Sequence, residues 1–74
     1  MNPVSSLHEL RSISATDRRY EELAVLVSSR LGGRDELSLH DHIEWLRIYA
    51  MATSEQEVIE LVNGCIADLE ARGQ

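Results

Sequence analysis

Four times in 74 residues the chain writes serine, two spacers and an acid: Ser6 to Glu9, Ser14 to Asp17, Ser38 to Asp41 and Ser54 to Glu57. In a capping box the serine hydroxyl accepts a hydrogen bond from a backbone N–H left unpaired in the first helical turn, while the acid reaches back toward the cap. The acids also stand where the helix dipole favours negative charge. The repeat therefore predicts four helix starts, and with them an all-α fold: a small bundle of three main helices and a short N-terminal one.

Apolar spacing places those helices. The first is predicted over about 3–13, with Pro3 in its first turn and Leu7, Leu10 and Ile13 at intervals of three. The second, about 15–31, carries Tyr20, Leu23, Ala24, Val27 and Leu31 as one stripe and ends at Gly32 and Gly33. The third, about 39–52, has Leu39, Ile43, Leu46 and Ala50 on one face. Its second half also holds Trp45, Ile48, Tyr49, Met51 and Ala52, so it is apolar nearly all the way round and is expected to be central. The fourth, about 55–71, carries Ile59, Val62, Ile66 and Leu69 in register, and a Thr53 to Gln56 box overlaps the one at Ser54. Gly64 falls inside it, either as a tolerated residue or as a point of close approach by another helix.

A chain of this length makes one domain, residues 1–74, and buries only about 60 to 65% of the surface its unfolded form exposes. Such domains usually need a disulfide framework, a metal, a partner or a second copy to gain buried area. Cys65 is the single cysteine, which excludes an intrachain disulfide and suits a reducing compartment. No segment approaches the roughly 18 consecutive apolar residues of a membrane span, and the start of the chain lacks a signal-peptide pattern, so a cytoplasmic location is expected. The absence of lysine and phenylalanine beside seven arginines suggests a GC-rich bacterial or phage genome.

Charge sets further bounds. Thirteen acids against seven arginines leave a net charge of −6, which opposes binding to nucleic-acid phosphates or anionic membranes. The imbalance sits in the second half: residues 1–37 hold six acids and five arginines, residues 38–74 seven acids and two arginines. The basic pair Arg18 and Arg19 precedes Glu21 and Glu22, a spacing suited to salt bridges within the helix. The acids Glu55, Glu57, Glu60, Asp68 and Glu70 raise the alternative of a nucleic-acid mimic that antagonises a basic protein.

Chemistry-bearing residues are sparse. His40, Asp41 and His42 cannot share one helix face at that spacing, so they are expected to be solvent-facing first-turn residues and not metal ligands. Cys65 has neither a base nor a positive charge beside it in sequence, and is expected in the core. The chain contains no nucleophile elbow, phosphate loop or paired CxxC. Neither catalysis, cofactor nor small-molecule substrate is expected.

Two segments resemble parts of a known family. Tyr20 to Gly32 looks like the first helix of acyl carrier proteins, and Thr53 to Asn63 is similar to their last. In that family a serine in an Asp-Ser-Leu motif carries the phosphopantetheine arm. The nearest match here is Leu37-Ser38-Leu39, with no aspartate before the serine and without the family's long first loop. The resemblance implies a divergent carrier with Ser38 as its attachment point, whereas the residues by themselves read Ser38 as a helix cap.

What capping leaves unexplained is apolar. A domain this small has little with which to surround the third helix, so Trp45, Ile48, Tyr49 and Met51, with Arg47 at the rim, are the predicted contacts for another protein or a second copy of the chain. The expected function is a non-catalytic protein–protein interaction module, homodimerisation being its most specific form.

Overall fold

Two of the four serine boxes behave as their spacing predicts. The computed structural model describes residues 2–32 and 39–73, folded into α1 (Leu7–Thr16), α2 (Tyr20–Leu31), α3 (Leu39–Ala52) and α4 (Glu55–Arg72). There is no strand among the described residues. Ser6 caps α1 in an extended conformation and accepts from the backbone N–H of Glu9. Ser54 does the same for α4, accepting from the N–H of Glu57. The returning acid lands one residue early in α1. Glu9 takes both the N–H and the hydroxyl of Ser5, at 2.9 and 2.8 Å, and these donors hold its carboxyl below the usual pKa. The third box begins at Ser38, outside the described residues.

The Ser14 box is not a helix start. The Ser14 hydroxyl donates to the Arg11 carbonyl and that of Thr16 to the Ser12 carbonyl, so both side chains turn back along α1 and the helix runs on to Thr16. Asp17 then closes the turn, its N–H donating to Ile13 and its carboxylate accepting from the N–H of Arg19. α2 consequently begins at Tyr20, five residues later than the spacing predicts and with no side-chain cap. Thr53 likewise ends a helix instead of opening one, donating its hydroxyl to the Tyr49 carbonyl at 3.0 Å. At the end of α2 the expected left-handed cap is present. Gly32 sits at φ +70°, where a Cβ would strain the backbone.

The N-terminal arm departs most from its predicted helix. Val4 is buried, and its N–H and carbonyl pair with the Oδ1 and Nδ2 of Asn63, each at 2.8 Å. The Leu7 N–H donates to Glu55 at 2.9 Å. With these backbone groups satisfied by α4, the chain around Pro3 has no need of helical hydrogen bonds, and α1 starts at Leu7.

One hydrophobic core draws on all four helices. The third helix, expected to be central, packs against α1, α2 and α4, while α4 packs against α2 and α3 and buries Val58, Ile59, Val62, Cys65 and Ile66. The spacing i, i+1, i+4, i+7, i+8 makes a stripe wide enough for two neighbours. α2 supplies Tyr20, Leu23 and Val27, α3 supplies Ile43 and Leu46, and α1 supplies Leu10.

The uneven charge of the two halves resolves across the fold. Arg11 of α1 pairs with Glu44 of α3 at 2.9 Å, Arg19 with Glu70 of α4 at 3.5 Å, and Arg30 of α2 with Asp68 of α4. Arg19 therefore looks across to α4 and to Asp17, not along its own helix to Glu22. These pairs are solvent-screened, so they orient helices more than they hold them.

Gly64 has no helix backbone close against it. Among the described residues a Cβ there would meet only the Arg30 guanidinium, at an ordinary contact distance of 3.6 Å. Gly64→Ala is accordingly expected to raise stability by up to about 1 kcal/mol through helix propensity. A higher urea midpoint with unchanged slope would be the sign of it.

Candidate functional site

On α3 the sequence is apolar nearly all round, and packing divides that surface into three parts. Ile43 and Leu46 face the core and are buried. Trp45, Tyr49 and Ala50 lie at the boundary, half-buried and packed against the core cluster. Ile48 and Met51 face away from it, with 64% and 84% of their surfaces exposed. Residues two apart on a helix point about 200° from each other, so the burial of Leu46 forces Ile48 outward. Met51, one turn on, joins Ile48 on the same face. Ala52 is exposed as well.

Arg47 is exposed and pairs at 3.5 Å with Glu44, which also holds Arg11. The five predicted contact residues therefore separate. Ile48, Met51 and Arg47 form an open surface, whereas Trp45 and Tyr49 present only an edge to it.

Behind that edge runs a line of rings. Tyr20 and His42 meet edge to face at 5.9 Å between centroids, His42 and Trp45 are 6.2 Å apart, and Trp45 and Tyr49 are 6.3 Å apart. His42 is the correction here. Only 1% of its surface is exposed, although its first-turn position predicts a solvent-facing side chain. It lies four residues before Leu46 and seven before Tyr49, on the core side of the helix, and that spacing is the signal that points inward. Its Nδ1 is 3.2 Å from the Tyr20 hydroxyl, while Nε2 is buried with no hydrogen-bond partner. Desolvation lowers the His42 pKa and raises that of Tyr20.

No family model, curated protein or solved structure matches the chain.

The polar residues weighed in the sequence take other places. His40 and Asp41 are exposed on the first turn of α3. No three His, Cys, Asp or Glu side chains gather into a cluster suited to a metal among the described residues. Cys65 is buried and desolvation raises its thiol pKa, the nearby Arg30 only partly opposing this, so it is a core side chain without thiolate character. Ser38, the carrier-like serine, lies outside the described residues. Of the acids that could imitate phosphates, Glu55 accepts from Leu7, Glu60 accepts from Gln56, and Asp68 and Glu70 meet Arg30 and Arg19. Those carboxylates serve the fold's own contacts. Among the described residues no helix is long and apolar enough to cross a membrane.

Proposed function

We propose that this protein is a non-catalytic interaction module, a small cytoplasmic regulator, adaptor, chaperone or inhibitor that docks the outer face of α3 against another protein. The observation that carries this reading is the joint exposure of Ile48 and Met51, one turn apart, on a helix whose core side is already filled. Flexible methionine and branched aliphatic side chains bounded by an aromatic edge and an arginine rim make a common interface composition. Val25 of α2, also exposed, lacks such a setting: the chain flanks it with Glu21, Glu22 and Ser29 one turn away. The simplest partner is a second copy, since a two-fold contact needs only one self-complementary patch.

Ile48→Ser combined with Met51→Ser tests the reading without touching the core. Both side chains are exposed, so the fold should keep its stability within about 0.5 kcal/mol. Sedimentation equilibrium at micromolar concentration should give a dimer for the parent chain and an 8.4 kDa monomer for the double variant. A parent that is monomeric throughout excludes self-association and leaves a separate partner for this face.

A further inference from the structure

Among the described residues His42 is the one imidazole enclosed in the core, and imidazole is the side chain whose ordinary pKa lies nearest neutral pH. Its surroundings are unusual for an imidazole. Val58, Ile59, Val62, Cys65 and Ile66 are what α4 buries, and Leu10 is what α1 buries. Besides the Tyr20 phenol and the Cys65 thiol, the polar side chains buried among the described residues are Ser28 and His42, so no described carboxylate is buried there to neutralise an imidazolium. The titratable group that faces the ring is the Tyr20 phenol of α2. On α3 itself His40, Asp41 and Arg47 are exposed and Glu44 is half-buried, where it pairs with Arg47 and with Arg11 of α1.

A neutral imidazole carries one N–H and one acceptor nitrogen, whereas the protonated ring carries two N–H donors and a full charge. The Tyr20 oxygen can accept from Nδ1–H. Among the described residues nothing accepts from Nε2–H, so the added charge is buried and half its hydrogen bonding is missing. The ring also touches Trp45, the chain's single tryptophan, which forms the edge of the exposed α3 surface.

We propose that His42 is a proton-operated latch between α2 and α3: on taking up one proton at its buried imidazole, it loosens the packing that joins Tyr20 to α3 and seats Trp45. The latch is a property of the fold and holds whether or not the α3 face takes a partner. Burial makes the folded ring a weaker base than the unfolded one. The unfolded chain therefore binds the extra proton, and stability rises with pH. It is complete above the unfolded imidazole value of about 6.5 and is lost as pH falls from there toward the folded-state value. This window lies above the one for Glu9 and Asp17, whose lowered pKa values place their losses at and below the ordinary carboxylate range.

The test uses the full chain carrying His8→Gln and His40→Gln, so that His42 is the only imidazole. Its ring nitrogen signals and the Trp45 emission are followed together from about pH 8 to pH 5, beside urea unfolding across the same range. The latch predicts three results. The ring stays neutral below the pH at which a free imidazole is half protonated. The folded-to-unfolded ratio falls by up to about tenfold per pH unit below 6.5. Trp45 emission changes with the ring's own midpoint, and His42→Gln flattens the acid response of both stability and emission. The proposal is overturned by a ring that titrates like free imidazole with Trp45 unmoved, or by an equal acid loss in His42→Gln. Should His42→Gln fail to fold, the ring titration set against Trp45 emission decides alone.

Discussion

Leu46→Ala is expected to remove about 2–5 kcal/mol of stability, while Ile48→Ala, two residues away on the same helix, changes it by less than about 0.5 kcal/mol. Leu46 has no exposed surface and lies where α3 meets the core. Truncation there loses the transfer free energy of the deleted carbons and leaves a cavity that neighbouring side chains fill only partly. The consequence is large because the total is small. At about 0.05–0.15 kcal/mol per residue, a 74-residue domain holds about 4–11 kcal/mol in all. Leu46→Ala should therefore remove a large share of the total, seen as a urea midpoint well below that of the parent. Ile48→Ala should follow the parent curve. Equal losses at the two positions would mean that the rotation of α3 is other than described.

The second large effect is at Asn63. Its side-chain amide meets both backbone groups of Val4 and so imitates the pairing of a neighbouring strand. Asn63→Ala leaves a partly buried N–H and carbonyl without partners and frees the arm that buries Val4. A cost of about 1–3 kcal/mol follows, because unmade bonds to buried groups weigh more than made ones contribute. Asn63→Asp is the informative companion. A carboxylate still accepts from the Val4 N–H but cannot donate to its carbonyl, so it should recover only part of the loss at neutral pH. Amide exchange at Val4 reports the arm directly, and should accelerate in Asn63→Ala by more than global destabilisation explains. Unchanged Val4 exchange would remove the clamp from the account.

These two sites also mark what could be read from the chain alone. The stripe containing Ile43 and Leu46 identified the buried side of α3, and Ser6, Ser54 and Gly32 marked helix ends correctly, since each depends on atoms within one turn. Ser14 had the same local pattern and a different outcome. Its hydroxyl found a carbonyl inside α1, and Ser-x-x-Asp spacing does not distinguish a donor from a cap acceptor. The Val4 to Asn63 clamp spans 59 positions, so no local periodicity contains it.

The candidate face was readable as a surplus of apolar residues, and its boundary was not. Trp45, Ile48, Tyr49 and Met51 are alike in hydropathy. Which of them lie outward depends on how α1, α2 and α4 together seat α3. His42 differs: its spacing to Leu46 and Tyr49 points inward, but its polar side chain beside Asp41 reads as surface unless that spacing is given more weight. Tyr20 supplies its hydrogen-bond partner.

The exposed face of α3 as the binding surface is the claim on which the functional reading stands. Quantitative capture from the native host, with parent chain and the Ile48→Ser, Met51→Ser variant immobilised side by side at equal folded amounts, tests it most directly. The account predicts that proteins retained by the parent, further copies of the chain included, fall at least about tenfold on the variant, equivalent to about 1.4 kcal/mol of interaction. Equal retention of the same proteins by both baits would contradict it.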